Sequence, residues 1–270
     1  MALTLADQVE AAFLEQPQAD CPVTHRFGPG IYIREVLLPR GAYVVGHAHK
    51  TVHLNIMLTG RLGLFDDDGN ETILSAPQTF VAGMGRKVAY IYEDVIWQNV
   101  HATTETDVET LEDTYLDKSA IWLDHVRRAS LVTENYSEDN EDFAAALVDL
   151  RLDPLTVRLA AERSDDVAPF PPGDYKVMPG PSKINGKGLF ATGVIDVNEL
   201  IAPARLDGQR TPAARYINHS RMPNADAAMT ETGDIYLFAL RPIAGCRGGQ
   251  LGEEITIDYR RFLNLTCRSN

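Results

Sequence analysis

The residues best suited to chemistry lie in two polar strings in the last third of the chain. The first string, RYINHSRMPN, spans residues 215–224, and the second, GEEITIDY, spans residues 252–259. Asn218 and His219 stand among small and polar residues before a proline, where strand pairing does not use every backbone group. An amide beside an imidazole can form hydrogen bonds with a planar heteroaromatic ligand. Taken alone, the same pair would also suit an Asx-type turn that carries a surface histidine.

A third string, GKGLFA at residues 186–191, precedes these two. By itself it is typical of a glycine turn between strands. In this order, the three strings resemble the signature motifs of the SET domain, the fold of most protein-lysine methyltransferases. The resemblance implies an S-adenosylmethionine cofactor and a methyl transfer that needs no metal. By position, it places the transferred methyl near Tyr259. It implies that the cofactor is held by Gly186, Gly188, Arg215, Asn218 and His219.

The chain also departs from the SET pattern. Arg221 replaces the usual cysteine, and residues 199–204 lack the tyrosine-containing segment that the family carries after its first strands. Only 23 residues separate Ala191 from Arg215, and no zinc-binding cysteine cluster follows Tyr259. The resemblance therefore implies a minimal SET domain, and it supports a cofactor pocket better than it supports a lysine substrate.

A second set of chemically capable residues lies in the N-terminal half. The segment from Gly41 to Gly60 has the pattern G-x5-H-x-H-x3-H-x6-G, in which the histidines are His47, His49 and His53. Residues two apart in a strand share a face, so His47 and His49 would point together. The spacing resembles the first cupin motif, with His53 where a glutamate usually stands.

The second cupin motif is degraded, because residues 85–92 contain no histidine and the remaining imidazole of the region is His101. The resemblance implies a metal site of His47 and His49 with His53 or His101. Imidazole ligands alone do not choose among Zn, Fe, Mn and Ni. The alternative is a cluster of polar histidines that line a vestigial barrel.

Short β-type runs separated by turn signals must position these histidines. Turn signals include Pro29-Gly30 and the run from Asp66 to Asn70. Such punctuation suggests a closed sandwich or barrel. The predicted strands are Ile31 to Leu38, Ala42 to Gly46, Leu54 to Leu58, Arg61 to Phe65, Glu71 to Leu74, Gln78 to Ala82, Lys87 to Tyr92 and Ile96 to His101.

Helical spacing appears on both sides of this region. Thr4 and Asp7 are placed to cap a helix that ends at Leu14, and this segment lacks the basic region of a signal peptide. A turn or short helix is expected at 107–116, and short helices are expected at 119–131, 143–150 and 155–162. A solvated acidic loop is expected at 133–142 and a proline-rich break at 168–174.

These elements predict a mainly β (α+β) chain, with a cupin-like β-barrel followed by short helices and a compact SET-like β fold. The expected parts are an N-terminal helix and lead-in at 1–27, the barrel at 28–118, a helical, acidic and proline-rich connector at 119–175, and the SET-like domain at 176–264. A length of 270 residues with 44% hydrophobic residues allows roughly two domains.

The charge is unevenly distributed. Residues 176–270 hold 12 Lys+Arg against 9 Asp+Glu, whereas residues 1–175 hold 13 against 29, so the net charge of −13 divides into +3 and −16. We therefore expect no direct nucleic-acid or membrane binding. Three widely spaced cysteines, Cys21, Cys246 and Cys267, disfavour a disulfide framework and indicate a reduced, intracellular setting. We expect a cytoplasmic location in a bacterial or phage-infected cell, with the virion as the alternative.

Three functions compete at this point. The first is an S-adenosylmethionine-dependent protein-lysine methyltransferase with a cupin-like accessory domain. Cupin-like and SET-like parts in one acidic chain also resemble proteins of tailed bacteriophages, which implies a virion decoration or tail-associated protein. The third is a metal-dependent cupin enzyme or sensor. Partners would be a protein substrate or assembly proteins, and the cupin resemblance implies a homo-oligomer.

Overall fold

The structure is a computed structural model that describes residues 4–131, 137–163, 166–247 and 250–262. Cys267 lies outside the described residues. The chain divides into two compact units, Met1–Thr133 with Cys246–Gln250 and Glu134–Gly245 with Leu251–Asn270. The first boundary falls inside the predicted connector, so most of that segment belongs to the second unit. Strands predominate in the chain, which confirms the mainly β prediction.

The first unit contains three helices and nine strands among its described residues. They are α1 (Leu5–Leu14), β1 (Val23–Gly28), β2 (Ile31–Leu38), β3 (Tyr43–Val45), β4 (Ala48–His49), β5 (His53–Phe65), β6 (Glu71–Ser75), β7 (Gln78–Ala82), β8 (Val88–Ala102), α2 (Val108–Tyr115), β9 (Leu116–Asp117) and α3 (Ala120–Leu131).

Antiparallel pairing joins these strands in the order β1-β2-β8-β5-β6, with β3 added to β8 and β7 added to β5. The short strands β4 and β9 pair with each other. Apolar side chains from the long strands form the core of the sheet. Its buried members are Leu38, Met57, Leu62, Ala89, Ile91 and Val95.

The long strand β5 corrects the sequence prediction. The predicted strands at 54–58 and 61–65 are parts of this one strand, and β8 likewise joins two predicted strands. Gly60, with a φ of 83°, lies where the register between β5 and β8 shifts. A Cβ there would lie 2.3 Å from the carbonyl oxygen of Asp94. The glycine therefore marks a β-bulge, which the sequence alone does not distinguish from a turn.

The predicted cap of α1 is confirmed. The Asp7 amide donates to Thr4 Oγ1 at 3.2 Å, and the Thr4 amide donates to Asp7 Oδ2 at 3.1 Å, which forms a capping box. Arg86 lies in the segment where the cupin pattern would place a histidine. Its guanidinium binds Glu10 at 2.5 Å and Asp7 at 3.2 Å.

The second unit contains three helices and nine strands among its described residues. They are α4 (Ser137–Asp149), α5 (Pro154–Glu162), β10 (Gly173–Tyr175), β11 (Val177–Pro181), β12 (Lys187–Ala191), β13 (Leu200–Leu206), β14 (Gln209–Arg210), α6 (Pro212–Tyr216), β15 (Asn218–His219), β16 (Ala225–Met229), β17 (Ile235–Ala239) and β18 (Glu254–Ile257).

Two small sheets organise this unit. One has the order β11-β12-β18-β15, and the other has the order β14-β13-β17-β16. Pairing is antiparallel except between β15 and β18, which run parallel. The largest fully buried side chains of this unit are Leu189, Ile195, Ile235, Leu237, Ile243, Ile255 and Ile257. Among the described residues of the whole chain, no helix is long and apolar enough to cross a membrane.

The Arg86–Glu10 pair should stabilise the first unit, because the side chains are only 9% and 5% exposed. Arg86→Ala leaves a buried carboxylate without its counterion and should lower the free energy of unfolding by about 3 kcal/mol. Urea unfolding followed by tryptophan fluorescence measures this, since Trp97 and Trp122 both lie in this unit.

The exposed Arg40 supplies a matched control, and Arg40→Ala should change the unfolding free energy by less than about 0.5 kcal/mol. The apolar double variant Glu10→Leu/Arg86→Met should recover stability relative to Arg86→Ala, because neither charge is then buried alone. An Arg86→Ala protein as stable as the wild type would show that the pair contributes nothing.

Candidate functional site

The two polar strings meet where β15 lies parallel to β18. Asn218 is level with Thr256 and His219 with Ile257, and the Ser220 amide donates to the Ile257 carbonyl at 3.0 Å. Residues about 40 positions apart in the chain thereby form one site. The fold therefore brings Asn218 and His219 beside the second string.

Asn224, the last residue of the first string, fastens this junction. Its buried side-chain amide donates to the Glu254 carbonyl at 2.8 Å and accepts from the Thr256 amide at 2.9 Å. One side chain thus replaces a strand neighbour for β18. The Pro-Asn end of the motif is therefore a structural clamp.

The Asn218 side chain is 9% exposed and lies among hydrogen-bond acceptors. Its Nδ2 lies 2.8 Å from Glu254 Oε1, 3.0 Å from Ser182 Oγ, and 3.2 Å from the carbonyls of Asn185 and Lys187. An amide nitrogen carries two hydrogens, so two of these four acceptors can be bonded at once. Its Oδ1 accepts no hydrogen bond from the residues that the structure describes.

The two glycines of the 186–191 string have different roles. Gly186 has a φ of 53°, and a Cβ on it would meet nothing within 4 Å. A Cβ on Gly188 would lie 2.2 Å from Glu254 Oε1. Gly186 is therefore required by backbone conformation, and Gly188 by the carboxylate that approaches it.

His219 is buried, and its hydrogen bonds determine which ring nitrogen carries the proton. Nδ1 accepts from the Tyr259 amide at 3.1 Å, so the ring proton belongs on Nε2, which lies 2.9 Å from Asp142 Oδ2. The imidazole thereby links β15, the end of the second string and helix α4. Its side chain is committed to internal contacts.

The Tyr259 hydroxyl donates to the Ile217 carbonyl at 2.7 Å. Burial raises the pKa of Tyr259 well above its usual value, so the phenol is neutral at physiological pH. Phe143 meets the Tyr259 ring edge to face, with centroids 5.7 Å apart. Tyr259 can therefore line a binding site as a neutral group, and it is not a general base.

Helix α4 supplies contacts that the sequence prediction missed. Asp139 Oδ1 accepts from Ser220 Oγ and from the Arg221 amide, each at 3.0 Å. Asp142 binds Arg260 as well as His219. The prediction of a solvated acidic loop through residue 142 is wrong from Ser137 onward; residues 132–136 of that loop lie outside the described residues. A usable signal was the three-residue spacing of the two aspartates, which places both on one helical face.

Arg215, a predicted cofactor ligand, is engaged elsewhere. It lies in the last turn of α6, where its Nη1 donates to the Arg163 carbonyl at 2.5 Å. Its guanidinium also lies 5.5 Å from the centroid of the Tyr216 ring. It forms no hydrogen bond with Asn218 or His219, so its role at the cofactor stays a prediction.

In the first unit, the predicted metal ligands are arranged as a stack. The rings of His49 and His53 are 4.1 Å apart, those of His53 and His101 are 5.3 Å apart, and Tyr115 stacks on His101 at 3.9 Å. His47 instead meets Trp122 edge to face. Stacked rings do not aim their nitrogens at one point. Among the described residues, no group of three His, Cys, Asp or Glu side chains could hold a metal ion.

Burial favours the neutral form of three histidines in this region. It lowers the pKa of His47 to about 4, of His49 to about 3 and of His101 to about 4. His53 Nδ1 lies 3.0 Å from the Thr51 carbonyl, which fixes the proton on that nitrogen. A cavity of about 490 Å³ adjoins the stack. The four predicted ligands therefore do not fit a metal in this arrangement.

Comparison with known proteins identifies the C-terminal strings. The SET domain family model matches residues 114–260, which is more than half of the chain. The chain belongs to the SET domain family. The matched range begins well before the predicted SET-like domain at 176 and includes α4. No curated protein matches the sequence.

Solved structures with similarity to this SET domain protein include cupins, the family that the histidine spacing resembles. An RmlC-like cupin family protein with a double-stranded β-helix fold from Methanocaldococcus jannaschii is 17% identical. That match covers 32% of this chain and 83% of the cupin, with a TM-score of 0.26. A cupin domain from Bordetella pertussis Tohama I is 14% identical over 33% of this chain and 99% of its own, with a TM-score of 0.27.

The Asp142 contact should hold α4 against the site of this SET domain. Hydrogen bonds from Arg260 and His219 lower the pKa of Asp142. A carboxyl group whose pKa is lower in the folded than in the unfolded chain stabilises the fold at pH values above its unfolded-state pKa, about 3.9 for Asp. This stabilisation is lost as the pH falls through the folded-state pKa. Asp142→Asn should therefore speed hydrogen exchange of α4 peptides by about fivefold at pH 7, or roughly 1 kcal/mol, with a smaller difference below about pH 4.

Asp149→Asn is the matched control, because Asp149 also binds Arg260 but is 62% exposed and does not contact His219. It should leave the exchange of α4 nearly unchanged. Equal effects of the two variants would show that the Asp142–His219 contact contributes no stability of its own.

The steric role assigned to Gly188 predicts coupling with Glu254. Gly188→Ala should destabilise the second unit by about 1–3 kcal/mol in calorimetric melting, and the cost should fall by at least about 0.5 kcal/mol in a Glu254→Ala background. Gly186→Ala, in open space, should cost about 1 kcal/mol from its backbone conformation in both backgrounds. Costs for Gly188→Ala that are equal in the two backgrounds would refute the steric explanation.

Proposed function

We propose that the chain is an S-adenosylmethionine-dependent methyltransferase that modifies a lysine amine of a protein. The observation that carries this proposal is the Oδ1 atom of the buried Asn218, which accepts no hydrogen bond from the described residues and lies beside His219 within the two strings that also supply Tyr259. Membership of the SET domain family supports the reaction class.

The residues present suit this cofactor. Asn218 Oδ1 is a hydrogen-bond acceptor without a partner among the described residues, which fits a ligand ammonium group. Gly186 leaves open space on the loop that the family resemblance assigns to the cofactor. Bound S-adenosylmethionine would supply a methyl group activated by its sulfonium.

Tyr259 would help to align the reacting groups and would not transfer a proton. Its hydroxyl is bonded to Ile217 and its phenol is neutral, so it does not remove a proton from the incoming amine. A lysine amine, with an ordinary pKa of about 10.4, must therefore lose its proton before it reacts. The chain's contribution is then alignment of the reacting groups and exclusion of water by the rings of Tyr259 and Phe143.

The first unit would be an accessory part. Residues 1–133 of this unit hold 10 Lys+Arg against 18 Asp+Glu, and this net charge of −8 would attract basic, lysine-containing protein segments and also favour solubility. No step of the proposed reaction uses the histidine stack. The alternative of a phage virion component stays a prediction from the sequence.

Ligand binding tests the proposal directly. S-adenosylmethionine at 100 times its Kd should stabilise the protein by about 2.7 kcal/mol, visible as a raised melting temperature. Asn218→Ala should remove most of this shift, because the ligand amine loses its acceptor. Transfer of a labelled methyl group to lysine-containing proteins would then establish the activity.

Asn185→Ala is a matched control, since this exposed asparagine lies on the same loop and contributes only its backbone carbonyl to the Asn218 environment. It should retain the thermal shift of the wild type. Absence of any shift at millimolar S-adenosylmethionine in the wild type would overturn the proposed function.

A further inference from the structure

Glu254 is a buried carboxylate at the start of β18, 9% exposed. Two neutral side chains donate to it. Asn218 Nδ2 lies 2.8 Å from Oε1, and Ser182 Oγ lies 2.8 Å from Oε1 and 3.0 Å from Oε2. A carboxylate removed from water needs such donors, so Glu254, Asn218 and Ser182 form one hydrogen-bonded cluster.

The hydrogen-bond donors and acceptors of this cluster determine which way the Asn218 amide faces. Glu254 when ionised accepts hydrogen bonds and donates none, and the carbonyls of Asn185 and Lys187 also only accept. Rotating the amide by 180° would place Oδ1 against these oxygens and leave their lone pairs without a donor. The observed orientation is therefore the one that the surroundings require, with Nδ2 facing these acceptors and Oδ1 without a donor in the described part of the chain.

Ser182 connects the same carboxylate to the glycine loop. Its Oγ accepts from the Ile184 amide at 2.9 Å, so its own proton is available for Glu254. Gly188 provides the space that Glu254 Oε1 occupies. Glu254 thereby fixes the position of Asn218 relative to the loop that carries Gly186.

We propose that Glu254 is the positioning residue that keeps Asn218 Oδ1 directed at the primary ammonium of an amino-acid ligand, namely the methionine part of the cofactor. The inference rests on the proposed function and extends it to a residue that does not itself touch the ligand. It also explains the second glutamate of the GEEITIDY string. The first, Glu253, pairs instead with Arg241.

The test separates recognition of the amine from binding of the nucleoside. Calorimetric titration would compare S-adenosylhomocysteine, which carries the amino-acid group, with 5′-methylthioadenosine, which lacks it. Glu254→Gln keeps the shape but can present either an oxygen or an amide nitrogen to Asn218. It should weaken S-adenosylhomocysteine binding by about tenfold and change methylthioadenosine binding by less than about twofold.

Glu253→Gln is the matched control in the adjacent position and should bind both ligands as the wild type does. Ser182→Ala gives a second variant should Glu254→Gln fail to fold, and it should show a smaller loss that is again confined to S-adenosylhomocysteine. Equal losses for both ligands would mean that Glu254 acts only on the fold, and wild-type binding of both by Glu254→Gln would also overturn the inference. A wild-type protein that binds neither ligand would instead refute the proposed function.

Discussion

The parallel contact between β15 and β18 is the interaction on which the second unit depends. It is only two residues long, yet it joins strings that lie about 40 positions apart. So short a pairing has too few backbone hydrogen bonds to persist alone. Asn224 adds two side-chain hydrogen bonds to β18, and Ile255 and Ile257 of this strand are buried. The polar motif is thus supported both by burial of apolar side chains and by the hydrogen bonds of Asn224.

Much of this site is predictable from the sequence, because its members lie in strings of characteristic order. Asn218 and His219, which the resemblance assigns to the cofactor, lie beside the string that ends in Tyr259. The sequence does not determine which structural role each residue of a string has. Gly188 makes room for the side chain of Glu254 from a distant strand, whereas Gly186 adopts a positive φ that other residues rarely take. Such distinctions depend on contacts made only in the folded chain.

The first unit shows the same limit in its strands and histidines. Gly60 carries the sequence signal of a turn, but partner strand β8 continues past it, so the glycine absorbs a bulge. Spacing places His49 and His53 near each other, and they are indeed neighbours. It does not determine whether imidazoles converge by their edges, as ligands do, or lie face to face. Burial lowers the pKa of His49 and thereby favours its neutral form within the stack, since a charged imidazole would be poorly solvated there.

Helix α4 shows why acidic composition alone is a weak guide. Ten residues rich in Asp and Glu are usually solvated, and here the same composition provides acceptors for a motif whose polar hydrogens would otherwise be left without partners. Asp142 accepts from the Nε2 proton of His219, and this proton is on Nε2 because Nδ1 is occupied by the Tyr259 amide. Asp139 satisfies Ser220 and the Arg221 amide in the same way. The helix is therefore part of the site by hydrogen-bond necessity, in agreement with a SET domain match that begins before it.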